Sequence, residues 1–351
     1  MMRAARMHGY KQPLVLEEIP IPDIGPGEVL VKVGGAGMCR TDFQLIDGYF
    51  GTDMPMPATP GHEIAGTIDR VGAEVPATAG LAEGDSVVVF GPRGDGSCRQ
   101  CHRGNEHICN EGHWIGFGPH GGYQEFVPVA YQQLIKVSGN LSPLSLAPLT
   151  DAGLTPYRGL KKLQAAGALG AGTTLAVMGV GGLGAYAVQY AKLLGGGATV
   201  VALGRNPEKL ALATENGADH IIDIKDKSDD QVRNALEAAT GKREFDAVIE
   251  CAGAEESIRL AFSLLATEGA VASVGLVGNR VDISLFPLVS REYTLFGSFW
   301  GNFNDLTEVV ALAEEGKIKD SVTQVNFEDV NDHLDALGRG DFVGRAVIVY
   351  D

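Results

Sequence analysis

Positive charge is the first thing this chain is short of. Its 28 Lys and Arg face 44 Asp and Glu, a formal net charge of −16. That balance argues against nucleic acid or an anionic membrane surface as the main partner. Long apolar runs are missing too: no stretch reaches the roughly 18 residues a spanning helix needs. The opening MMRAARMHGYKQPLVLEE carries arginines but no apolar core of a signal peptide. Cysteine is scarce, with five in all. Three of them lie between Cys98 and Cys109, so they do not read as the disulfide frame of a secreted domain. A reducing cytoplasm is the expected compartment. Internal repeats and low-complexity segments are also absent.

What is present is enough sequence for two cores, 351 residues with 45% hydrophobic content. The first half reads as short strands divided by glycine and proline turns. Residues 28–35 (EVLVKVGG) alternate with period two, and 85–91 (DSVVVFG) is a buried-strand run. From Pro148 the texture changes, and beyond Thr174 strands and helices alternate. TLAVMG, TVVAL, HIIDI, FDAVIECAG and GAVASVGL are the strands; residues 183–194, 207–216, 229–240 and the ESIRLAFSLLA run are helices. Repeated strand–helix–strand units predict an α/β domain with a doubly wound parallel sheet. Past Leu295 the pattern loosens, and the chain is expected to rejoin the first domain. The predicted divisions are 1–152, 153–293 and 294–351.

GVGGLG, Gly179 to Gly184, fits G-x-G-x-x-G and stands between an apolar strand and an apolar helix. Gly179, Gly181, Gly182, Leu183 and Gly184 are therefore candidate dinucleotide contacts, with pyrophosphate at the helix N-terminus. An acidic residue about 20 positions further on would select NAD. Gly204 stands there instead, followed by Arg205, with Lys209 one turn into the next helix. A missing carboxylate and an arginine fit for a 2′-phosphate favour NADP(H), with NAD(H) the alternative.

The cluster DGSCRQCHRGNEHIC has the spacing of a zinc lobe but only three cysteines, one short of a closed tetrahedral site. Separately, GMCRTD supplies Cys39 and GHEIAGTIDRVG supplies His62, two typical zinc ligands. Asp42 and Glu63 are the carboxylates placed to support them. With GHE-x2-G-x5-G-x2-V matched position by position, Cys39 upstream and GxGxxG downstream, the chain resembles the zinc-dependent medium-chain alcohol dehydrogenases over essentially its full length.

The resemblance implies a mainly β, GroES-like catalytic domain joined to a Rossmann domain, an oxidoreductase activity, and a homodimer or homotetramer. It implies a catalytic zinc on Cys39, His62 and Asp151, where many relatives have cysteine as the third ligand. A plain helix-cap role is the competing reading of Asp151. It also implies a structural zinc on Asp95, Cys98, Cys101 and Cys109 (lobe 95–109), with an acidic residue in the first slot and His102, His107 and His113 as worse-spaced rivals. Thr41 would pass on the alcohol's proton, Arg40 would meet the pyrophosphate and Thr155 the nicotinamide. Gln44 replaces a relay histidine and cannot titrate.

The expected reaction moves hydride between an alcohol and NADP(H), with zinc polarising the oxygen. Phe43, Tyr49, Phe50, Trp114 and Trp300 are candidate pocket walls, favouring a secondary, possibly aromatic, or primary alcohol or its carbonyl partner over a sugar. A polyol or sugar dehydrogenase, a zinc-free quinone reductase and a zinc-ribbon binding module are the alternatives. The absence of a basic surface speaks against the last. Cys251 is assigned no chemistry.

Overall fold

A computed structural model describes residues 1–51 and 54–350. The chain divides into two compact units, residues 1–152 with 302–351, and residues 153–301.

The second unit is built on one parallel sheet. Among the described residues it has six strands, in the order His220–Asp223, Thr199–Gly204, Thr174–Met178, Phe245–Glu250, Leu265–Ser273 and Thr294–Gly297. Thr174–Met178 is buried at every position, as befits a strand covered on both faces. Helix Gly182–Leu194 follows it and buries most of its side chains. Met178, Val201, Leu203, Phe245, Val248 and Val271 make the core between the sheet and its helices. Each such side chain contributes about 1.5–3 kcal/mol on burial. Ser228 caps helix Asp229–Thr240 through its hydroxyl, and Gly241 closes it at φ 76°.

The sequence reading ended this domain at residue 293, whereas the structure carries it to Gly301. Thr294–Gly297 pairs in parallel with Leu265–Ser273 as the sheet's last strand. Four residues of mixed polarity show no period, so the strand left no signal in the sequence.

The first unit is mainly β. Among the described residues a seven-stranded sheet runs Val322–Val325, Arg345–Val349, Glu28–Met38, Glu63–Val71, Ser86–Val89 and Leu134–Lys136, and Phe126–Ala130 also pairs with Glu28–Met38. Val29, Val31, Val33, Ile64, Val87 and Val127 fill its core. Register here decides the site. Met38 faces Ala346 and Gly37 faces Glu63. Cys39, His62 and Arg345 therefore leave three neighbouring strand ends together. No helix among the described residues is long and apolar enough to cross a membrane.

Candidate active site

Cys39 follows strand Glu28–Met38 as the N-cap of helix Arg40–Asp47, which puts Asp42 one turn in. Asp42 is buried and accepts four hydrogen bonds. Oδ1 takes the Gly61 amide (3.1 Å) and His62 Nδ1 (3.0 Å); Oδ2 takes the Cys39 amide (2.9 Å) and the Tyr123 hydroxyl (2.9 Å). One carboxylate thus pins both ligand-bearing segments. Burial works against its charge, but the His62 charge and these bonds outweigh it and hold the carboxyl below its usual range. With Nδ1 on Asp42, Nε2 is the ring nitrogen that faces Asp151, and a metal bound there would take the place of its proton.

Asp151 closes the group. It follows the short 3₁₀ turn Ala147–Thr150, and Gly153, not Asp151, stands before helix Leu154–Ala165. Asp151 is therefore not the N-cap of that helix. Asp151 Oδ2 lies 3.4 Å from His62 Nε2 and 3.7 Å from Cys39 Sγ. All three ligand atoms sit within 4.8 Å of one another. Zinc bonds of about 2.0 Å to N or O and 2.3 Å to S at tetrahedral angles put such atoms about 3.3 and 3.5 Å apart. The residues fit the ion, with three ligands and one position left for water or substrate.

Glu63 points elsewhere. It is fully buried, and a Cβ at position 37 would collide with its side chain, so only glycine serves there. Its carboxylate accepts the Ala152 amide at 2.9 Å and is gripped by Arg345 at 2.5–3.1 Å. Arg345 Nη2 also reaches Asp151 Oδ2 at 3.3 Å. Burial, the largest influence, pushes the Glu63 carboxyl up to about 7; the Asp151 charge adds to this and Arg345 opposes it. Burial also works against charge on Arg345, but Cys39, Glu63 and Asp151 outweigh it and keep the guanidinium protonated. The sequence reading did not single out Arg345 or Tyr123.

The helix from Arg40 carries Arg40 and Thr41 half-buried in its first turn and Gln44 buried in its second. The aromatic candidates separate. Phe50 and Trp114 meet Phe117 edge-on with centroids 5.6 and 5.7 Å away, and Tyr49 joins through Phe50 at 5.1 Å. Phe117 lies 6.3 Å from the His62 ring. Phe43 instead closes over Gly338. Trp300 is buried in the other unit, against Phe299.

The lobe makes a second group from Asp95, Cys98, Cys101 and Cys109. Cys98 Sγ lies 3.6 Å from Cys101 Sγ and 3.7 Å from Cys109 Sγ, and Asp95 Oδ1 lies 3.3 Å from Cys101 Sγ. Tetrahedral zinc sets thiolate pairs about 3.8 Å apart. This group fits a closed site, and His102, His107 and His113 are not part of it. The Ser97 hydroxyl and amide and the Cys98 amide hold Asp95 ionised, well below the usual carboxylate range.

In the second unit Gly179 takes φ 88°, and a Cβ on it would stand 2.8 Å from the Ala252 Cβ. Gly181 precedes helix Gly182–Leu194, whose first turn holds Leu183 and Gly184. Gly204 ends its strand, Arg205 is exposed, and Asn206 caps the helix bearing half-buried Lys209. Thr155 is buried in helix Leu154–Ala165.

Residues 25–139 match the alcohol dehydrogenase GroES-like domain family, and residues 182–315 match the zinc-binding dehydrogenase family. The chain belongs to the zinc-binding, medium-chain alcohol dehydrogenase family and is an NAD(P)-dependent oxidoreductase. Among individual proteins it is similar to an NAD-dependent alcohol dehydrogenase of Sulfurisphaera tokodaii, 36% identical over 99% of this chain and 100% of that one. It is 35% identical to a D-arabinose 1-dehydrogenase (NADP(+)) of Saccharolobus solfataricus, over 99% of this chain and 97% of that one. The alcohol dehydrogenase structure from Aeropyrum pernix superimposes with a TM-score of 0.91 at 35% identity, covering 99% and 100% of the two chains.

Proposed function

We propose that the protein interconverts a small alcohol and its carbonyl partner using a catalytic zinc on Cys39, His62 and Asp151 and a nicotinamide dinucleotide on the second unit. The observation that carries this is the Cys39–His62–Asp151 group, spaced for a tetrahedral ion and backed by Asp42. Zinc bound there supplies Lewis acidity to the alcohol oxygen, and the dinucleotide supplies the hydride acceptor. Asp42 fixes the His62 ring, Arg345 keeps Glu63 and Asp151 in place, and the part-exposed Thr41 hydroxyl relays the alcohol's proton, receiving it while releasing its own to water. Gln44, buried one turn further along the same helix, cannot titrate and takes no part in that transfer. Asp95, Cys98, Cys101 and Cys109 hold a second zinc that braces the lobe.

NAD(H) is the first reading for the coenzyme, supported by the NAD-dependent relative matched end to end. NADP(H) is the second, carried by Gly204 and exposed Arg205, where a carboxylate would repel a 2′-phosphate. The substrate is an apolar alcohol, supported by Tyr49, Phe50 and Trp114 gathered around Phe117 beside His62. Metal content and coenzyme titration test the whole. Two zinc ions per chain, and reduction of NAD with a secondary alcohol, are expected. Full activity without zinc would refute the mechanism. Faster turnover of D-arabinose or a sugar alcohol would move the substrate to the sugar class.

A further inference from the structure

Glu250 ends strand Phe245–Glu250 as a fully buried carboxylate. Among the described residues no cation pairs with it. Neutral donors hold it: Oε1 accepts the Ala252 amide (2.9 Å), the Gly253 amide (2.9 Å) and the Ser257 hydroxyl (2.8 Å), and Oε2 accepts the Gly253 amide (3.0 Å). Burial pushes this carboxyl above its ordinary range, with those bonds opposing. Ending a strand with a buried anion and no counter-charge is costly. The position has to repay that elsewhere.

Its place in the sheet says where. Thr174–Met178 lies between Thr199–Gly204 and Phe245–Glu250. The chain winds outward from Thr174–Met178 to His220–Asp223, then returns to its other side at Phe245. That reversal is the switch point of a doubly wound sheet, and ligands bind beyond the strand ends there. Two loops border it, GVGGLG after one strand and residues 251–253 after the other. They touch: Ala252 fills the space that a Cβ on Gly179 would need, and the Cys251 amide donates to the Met178 carbonyl at 2.8 Å. In such a fold the glycine loop takes the pyrophosphate, and the next strand's end takes the adenosine ribose. Here that next strand is Thr199–Gly204. The side of Phe245–Glu250 is left to the nicotinamide half.

We propose that Glu250 is a positioning residue for dinucleotide binding, fixing through the Ala252 and Gly253 amides the loop that borders the nicotinamide half. This rests on the dehydrogenase reading above. The test compares the full dinucleotide with ADP, which lacks the nicotinamide half, by calorimetric titration of the unmodified protein, Glu250→Gln and Ser257→Ala. Glu250→Gln weakens the dinucleotide about tenfold, the effect of losing charge-assisted bonds, and shifts ADP less than about twofold. Ser257→Ala gives the same pattern at about threefold and decides the matter alone if Glu250→Gln does not fold. Equal weakening of both ligands, or of neither, overturns the proposal. Unmodified protein that binds ADP and dinucleotide equally well also overturns it, and protein that binds neither removes the dehydrogenase reading itself.

Discussion

Replacing Arg345 with methionine tests the charge arrangement beneath the candidate zinc site. Methionine keeps much of the side chain's volume and none of its charge. Glu63 is fully buried and Arg345 nearly so, with the guanidinium on Glu63 at 2.5–3.1 Å and on Asp151 at 3.3 Å. Removing the arginine leaves the fully buried Glu63 carboxyl without its cationic partner, beside the part-buried Asp151. Breaking a buried pair from one side costs about 3–5 kcal/mol, far above the 0–1 kcal/mol of a surface pair. Urea unfolding of the metal-loaded protein, followed by circular dichroism, reads the loss as a lower midpoint at unchanged slope. The double variant Glu63→Gln/Arg345→Met removes both charges and should recover at least half of the loss. A loss below about 1 kcal/mol, or a double variant no more stable than the single one, would show that the pair does not carry this load.

Tyr123→Phe removes one of the four donors to Asp42 and should lower stability by about 1.5–3 kcal/mol, the worth of a hydrogen bond to a charged group. Zinc should also pass faster to a competing chelator, because Asp42 then holds His62 less firmly; unchanged release would refute that link. Asp95→Ala should lower the thermal midpoint and the zinc content toward one per chain while leaving turnover nearly intact; a large fall in turnover at unchanged stability would contradict the bracing role. Arg259 binds Asp229 through two bonds of 2.8 and 3.1 Å, which lower that carboxyl from 3.8, with burial opposing. A carboxyl lowered in the folded state stabilises above its unfolded value, and the benefit fades as pH falls through the folded one. Arg259→Gln should therefore cost under about 1 kcal/mol at neutral pH, because the arginine is exposed, and its deficit should shrink below about pH 4; a deficit that grows in acid would reverse the sign.

The parallel sheet was legible because each of its apolar strands is followed by a helix with its own turn signals. Thr294–Gly297 was not, since the strand is short and polarity does not follow its alternating burial: Leu295 is exposed while Thr294 is half-buried. Local spacing made the cysteine lobe, Cys39, His62 and the glycine turn visible. Asp151 became readable only through resemblance, because an aspartate after a proline turn is ordinary sequence. Arg345 escaped altogether. It lies 282 residues from Glu63, and nothing local marks an arginine in a strand as buried. What brings the two together is register: Met38 opposite Ala346 and Gly37 opposite Glu63. That register also accounts for the charges. Arg345 Nη2 reaches the carboxyls of both Glu63 and Asp151, so one guanidinium on the returning strand serves both groups. A carboxylate at position 151 and an arginine on the returning strand are therefore parts of one solution, and a change to either should be felt by the other.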